Sequence, residues 1–331
     1  MNVLSRILAC CLLLAAIPRD ASSALDRTIL FAGLRVGQIF HYQVSYRATT
    51  TMNTDSTVTA PMSPTAKQSN AIILLQVEVE DLREEAGEIV ARLHTQIAEA
   101  DSPNPSAAPL AGNAQDANSA PKPASPGASA KIVDLALHAD GQVTDVQGLD
   151  KLSPDDRAAW QEWIDRFGGA AALPQKGVKP GDKWKVDEPI TNALLSGLSW
   201  DKESVYVSDA PCSAARNAPQ ANPSAPQPSQ ETCAVILTTA TLKQKSNPKD
   251  ATPEDYKLHD LRNSGTALGK NQVIGYFALS TGLLAYAAED ANQSMSVTVA
   301  KTDGSNQVHY TIDAESHARV QLLPAAPGSQ P

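Results

Sequence analysis

Three fragments of this chain hold residue types that can do nucleophilic chemistry. Ser199-Trp200-Asp201-Lys202 has the S-x-x-K spacing in which a lysine activates a serine. Ser208-Asp209-Ala210 and Lys301-Thr302-Asp303 follow in the order that S-D-N and K-T-G would take. The second and third are broken, with Ala210 in place of Asn and Asp303 in place of Gly. An activated serine of this kind sits at a helix N-terminus, whereas Ser199 enters a segment patterned as a strand. Chance is the better account. Gly265-Thr266-Ala267-Leu268-Gly269-Lys270-Asn271 falls short of a phosphate loop in a similar way. It has three residues between its glycines where four are needed, Asn271 where a hydroxyl must meet Mg²⁺, and strand-like flanks where a helix must receive the phosphate.

The other reactive side chains give no compact motif. The six histidines, His41, His94, His138, His259, His309 and His317, include no H-E-x-x-H and no pair four apart. All but His259 fall opposite the apolar side of their segments, which predicts solvent-facing rings. The carboxylate run Glu78-Val79-Glu80-Asp81, with Glu84-Glu85, lacks the oxygen-rich pattern of a calcium loop and reads as a charged sheet edge. Asn292-Gln293-Ser294 is a glycosylation sequon, relevant only in a host that glycosylates. No catalytic residue, cofactor site or metal site is assigned.

Cys212 and Cys233 are different. They enclose 20 residues, among them Pro219, Pro223, Pro226 and Pro228. In an oxidising compartment such a pair is most simply a disulfide stapling two strand ends. The compartment follows from residues 1–24, which have the parts of a secretory leader. Arg6 supplies the charge, Ile7 to Ile17 the apolar run, and Ser22-Ser23-Ala24 the small residues before a cut. Cys10 after Ile7-Leu8-Ala9 resembles a lipobox, but the apolar run continues past it, so a lipid anchor there is the second reading. The apolar run is too short for a bilayer, which takes ~20 residues, and no transmembrane segment is expected.

Of the 331 residues, 42% are hydrophobic, but many of these are Ala and only 5% are aromatic. A core draws on apolar area at roughly 25 cal/mol per Å², so this one must rest on Val, Ile and Leu. A net charge of −9 argues against a nucleic-acid partner.

The elements that must carry these residues are mostly strands. Phe40, Tyr42, Val44 and Tyr46 alternate with His41, Gln43, Ser45 and Arg47. Ile73, Leu75, Val77 and Val79 make a second run, and Ile89, Ala91, Leu93, Thr95 and Ile97 a third. Val133–Leu137 and Val143–Val146 flank an Ala139-Asp140-Gly141 turn. Further strands are expected over 205–207, 233–242, 258–268, 273–279, 283–288, 295–299, 308–312 and 318–322. About a dozen strands with short turns mean antiparallel sheet. One helix stands out over about 153–168. Ser153 caps it, Pro154 opens it, Asp155 and Asp156 suit its positive end, and Gly168-Gly169 stop it. Trp160, Trp163, Ile164 and Phe167 form one apolar stripe along it. A shorter helix is expected from Thr252-Pro253-Glu254-Asp255.

Two echoes suggest duplication. Val36-Gly37-Gln38-Ile39-Phe40 matches Pro180-Gly181-Asp182-Lys183-Trp184, each leading into a strand. Ala136-Leu137 before Gly141 matches Ala278-Leu279 before Gly282. The expected layout is a leader at 1–24, a first β-unit at 25–150 with a disordered insertion at 101–130, and a connecting helix at 151–178. A second β-unit follows at 179–323, with a disordered insertion at 213–231, and then a flexible tail at 324–331.

The frame Lys179-Pro180-Gly181-Asp182-Lys183-Trp184, the segment 265–279 and the turn at Gly282 resemble a class of uncharacterised secreted bacterial β-proteins. These are in turn similar to the half-barrel lipoprotein carriers of the LolA and LppX type. The resemblance implies a curved antiparallel sheet with a helix on its concave face and an apolar cavity between them. It implies no catalytic residues.

The expected fold is therefore mainly β: a curved antiparallel sheet or half-barrel of two related units, with one amphipathic helix packed on it. The expected function is a secreted or periplasmic non-enzymatic module that binds or carries a hydrophobic ligand or a protein segment. Its candidate apolar ligand face comprises Trp160, Trp163, Phe167, Leu75, Val77 and Phe277. The alternatives are a structural or interaction module of the envelope without a small ligand, and a secreted enzyme with a non-contiguous site. A lipid or an envelope protein is the expected partner, with no cofactor; the oligomeric state stays open.

Overall fold

The computed structural model describes residues 34–57, 63–85, 88–97, 131–138, 143–167, 174, 177–190, 193–216 and 231–324. The expected leader, the loop at 101–130, the turn at 139–142, the Gly168-Gly169 stop, residues 217–230 and the tail from 325 lie outside them.

The chain begins as a five-stranded meander: β1 (Ile39–Ser56), β2 (Thr65–Glu85), β3 (Glu88–Ile97), β4 (Ile132–His138) and β5 (Val143–Gln147). A helix, α1 (Pro154–Phe167), leads to β6 (Lys183–Pro189), β7 (Leu198–Pro211) and β8 (Thr232–Gln244). The short helix α2 (Glu254–Lys257) precedes β9 (Leu261–Ala278), β10 (Leu284–Lys301) and β11 (Val308–Leu322). All eleven strands join one antiparallel sheet in the order β5-β4-β3-β2-β1-β11-β10-β9-β8-β7-β6. The first and last strands therefore meet mid-sheet, with Val44 opposite Val320, and the sheet stays open, edged by β5 and β6. The result is a curved antiparallel sheet carrying a helix.

Alternation sorts the side chains onto two faces. Even positions of β1 (Phe40, Tyr42, Val44) share a face with Ile73, Leu75, Val77 and Val79 of β2 and with Val320 of β11, all buried. α1 packs on that face over β1, β2 and β11. Ser153 accepts the Asp156 N–H at 3.2 Å, capping the helix, and Lys131 pairs with the Asp156 carboxylate. Burial alone would raise the Asp156 pKa, but the bonds from Lys131 and Ser153 hold it below its usual range.

A second apolar cluster lies at the far end of the same face, where Leu198, Leu242, Ala267, Met295 and Val297 are buried together with Leu195. The segment around Leu195 covers it: Asn263 Nδ2 donates to the Leu194 carbonyl at 2.7 Å, and Ser246 Oγ to the Ser196 carbonyl at 2.6 Å. Between the two clusters the helix face turns polar, with Ser204 and Thr238 bonded at 2.8 Å and Asn271 donating to Glu289. This polar band explains where the alternation misleads. Residues 258–279 read as two strands, and 283–299 as two more, yet each pair is one 18-residue strand, β9 and β10. Their middles hold Lys270-Asn271-Gln272 and, around Ala291, Asp290, Asn292, Gln293 and Ser294, so pairing continues while the apolar signal stops. For the same reason β7 starts at Leu198 rather than at 205.

The echoed turns share their geometry. Gly37 and Gly181 both adopt positive φ, +79° and +93°. Gly37 N–H reaches the Val79 carbonyl of β2 at 2.8 Å, and Gly181 N–H the Tyr206 carbonyl of β7 at 2.7 Å. Gln38 Oε1 accepts the Arg35 N–H, and Asp182 Oδ2 the Lys179 N–H, each at 3.1 Å. Beyond each contact the second strand carries an irregularity, at Val79/Asp81 and at Tyr206/Ser208. Thus β1–β2 and β6–β7 are built alike.

Candidate functional site

The residues expected to form an apolar ligand face are brought together, and they are packed. Trp160, Trp163, Leu75 and Val77 are fully buried and Phe277 is 5% exposed, all in one cluster. Trp163 meets Trp160 edge-on, with ring centroids 5.0 Å apart, and Tyr42 at 6.0 Å. Burial holds the Tyr42 phenol well above the usual tyrosine range. Phe167 ends α1, and its side chain lies outside those described. α1 itself occupies the apolar side of the sheet.

The cysteine pair is a disulfide with Cα atoms 5.0 Å apart, joining the turn after β7 to the start of β8. It is packed with Ala278, Ala285 and Tyr276. The turn itself is ordered as a short 3-10 helix, Cys212–Arg216, in which Ala215 is buried. The first residues of the stretch expected to be disordered are therefore structured.

The S-x-x-K serine is buried in β7, and the lysine of that motif, Lys202, pairs with Glu188. Gly265 to Asn271 is a stretch of β9. His94, His138, His309 and His317 lie on the sheet face opposite α1. His94 Nδ1 is 2.7 Å from Asp134, and His138 Nε2 is 2.9 Å from the Thr144 hydroxyl. His317 is held on both sides, by Asp290 at 2.6 Å and Glu315 at 3.2 Å. The Asp290 bond is the main cause that raises its pKa, burial opposes it, and Glu315 adds to the rise. A general base needs a free nitrogen facing a nucleophile, and His317 offers none. Among the described residues no group of three His, Cys, Asp or Glu could hold a metal ion, and no helix is long and apolar enough to cross a membrane.

The open space lies on that same face, at a place where no described element packs. A groove of about 600 Å³ crosses β1, β11, β10, β9 and β8. Pairing register builds it from two rows: Thr49, Glu315, Asn292, Lys270 and Thr241, then Thr51, Asp313, Ser294 and Leu268. Two carboxylates, one ammonium, hydroxyls and amides thus surround Leu268, which is 70% exposed. The Arg47, His317, Asp290 and Gln272 row borders it. No local motif marks these residues, since Thr49 and Glu315 meet only through the β1–β11 pairing. Leu268 was the one readable signal: an apolar residue in phase with Thr266, Lys270 and Gln272.

No family model matches the chain, and no curated protein matches it. Among solved structures, the crystal structure of the outer membrane protein OprG from Pseudomonas aeruginosa aligns over 88% of this chain and 99% of that one. The identity is 8% and the TM-score 0.18, a level at which the likeness carries no argument.

Proposed function

We propose that the chain is a non-enzymatic binding module acting outside the cytoplasm, and that it holds an extended, polar segment of an envelope protein in the groove facing away from α1. The groove carries this reading. It crosses five strands, offers donors and acceptors along its length, and leaves Leu268 open for one apolar anchor. Asp313 and Glu315 outnumber Lys270 within it, which favours a segment with basic residues. The disulfide supports an oxidising compartment. A lipid carrier needs an apolar-lined space of several hundred Å³, and here α1 lies on the sheet's apolar face.

Photo-crosslinking from Leu268 in the intact host envelope tests this. The expected result is a discrete protein adduct that disappears when Ser294→Trp fills the groove. Leu258, 80% exposed and outside the groove, should give no such adduct. Equal labelling from both positions, or a stoichiometric lipid found by native mass spectrometry, overturns the proposal.

A further inference from the structure

We infer that the segment held in the groove is a polyproline-II helix carrying a basic residue and, three positions away, an apolar one. This rests on the groove reading above and adds the conformation and side-chain spacing of the partner.

One row of the groove sets the spacing. Asp313 of β11 pairs with Ser294 of β10, and Ser294 with Leu268 of β9. A carboxylate and an apolar side chain therefore stand on one face, two strands apart, and all three residues are exposed. Neighbouring strands lie about 4.8 Å from each other, which puts the two anchors about 9.6 Å apart. The other carboxylate on β11, Glu315, already bonds His317 at 3.2 Å, so Asp313 is the better partner for a bound cation.

The groove runs across the strands, and so does a segment lying in it. In an extended strand, side chains on one side repeat every two residues, about 6.7 Å. One repeat falls about 3 Å short of the span between the anchors, and two overshoot it by about 4 Å. In a polyproline-II helix, residues i and i+3 share an edge and lie about 9.3 Å apart, which meets the span to within about 0.3 Å. An α-helix approaches it only at i and i+7, and its backbone groups are already bonded to one another.

The hydrogen-bonding groups fit the same conformation. A polyproline-II backbone makes no internal hydrogen bonds, so its carbonyls need outside donors. The hydroxyls of Thr51 and Ser294 supply them in the anchor row, and the Asn292 amide and Lys270 ammonium in the next. Ser294 is also short, which leaves room for the backbone between the two anchors. Such a segment is already extended before it binds and loses little entropy on docking. Polarity follows from the strands: Asp313 and Glu315 both stand on β11, while Leu268 stands on β9. The basic residue thus lies over β11 and the apolar one over β9.

Binding of short proline peptides to the full chain, read by fluorescence anisotropy with an uncharged dye, tests the spacing. A peptide with arginine and leucine three positions apart should bind about five- to ten-fold tighter than isomers with them two or four apart, since each isomer gives up one anchor. Asp313→Lys, with unchanged far-UV circular dichroism, should lose the arginine peptide and take the one with glutamate in its place. Equal affinity for the three spacings, no binding of any of them, or a folded Asp313→Lys variant that still prefers arginine overturns the inference. The groove reading is judged separately, by the Leu268 adduct in the envelope. An adduct without any spacing preference overturns the polyproline-II partner alone, whereas a missing adduct removes the groove reading itself.

Discussion

His317 lies between Asp290 and Glu315, so its charge is tied to pH. Its folded pKa is raised, chiefly by the Asp290 bond, above the unfolded value near 6.5. Its stabilising contribution is therefore complete below pH ~6.5 and is lost as the pH rises through the folded pKa. The pair is solvent-exposed, so the contribution is at most ~1 kcal/mol. An NMR titration should show the His317 midpoint above that of an unperturbed histidine, and Asp290→Asn should move it down. A midpoint unchanged by that substitution would remove the carboxylate from the account. In the core, Trp163 is fully buried against Trp160 and Tyr42. Trp163→Ala should cost ~3–5 kcal/mol in urea unfolding; a loss below ~1 kcal/mol would mean that α1 is not clamped to the sheet. That clamp was readable because Trp160, Trp163 and Ile164 share a stripe within one helix. The groove residues were not, because Thr49 and Thr241 come together only through three intervening strands.

At the level of elements, the two matching turns invite a paired measurement. Gly37 and Gly181 have positive φ, and an added Cβ at either would meet nothing within 4 Å. An alanine at each site therefore carries only the left-handed backbone penalty of ~1–2 kcal/mol. Gly37→Ala and Gly181→Ala should destabilise equally in chemical unfolding, and costs differing by more than ~1 kcal/mol would mean that the turns are alike in outline only. Gly265 is a contrasting case: its Cβ would lie 2.0 Å from the Ser296 carbonyl oxygen, so Gly265→Ala should cost more than either. These turns could be read from Gly-led sequences repeated before aromatic strands. The lengths of β9 and β10 could not, since their polar middles carry no period of two, and only their neighbours hold them in the ladder.

Across the whole molecule, the meeting of β1 and β11 decides whether two units fold together or apart. The main apolar cluster includes Val44 and Leu93 from the first half, Tyr206 and Ile236 from the second, and Trp160 from the helix between them. Val320 sits at the junction, fully buried, opposite Val44 on one side and Ala287 on the other. A core shared in this way predicts a single cooperative transition. Tryptophan fluorescence, which reports Trp160 and Trp163 of α1 and Trp184 at the main cluster and Trp200 against the second, should coincide in urea with far-UV circular dichroism. Val320→Asp places an unpaired charge where the halves join, and it should shift both signals together by several kcal/mol. Two separated transitions in the wild type, or a Val320→Asp variant that keeps one half folded, would show that the sheet joins two independent domains.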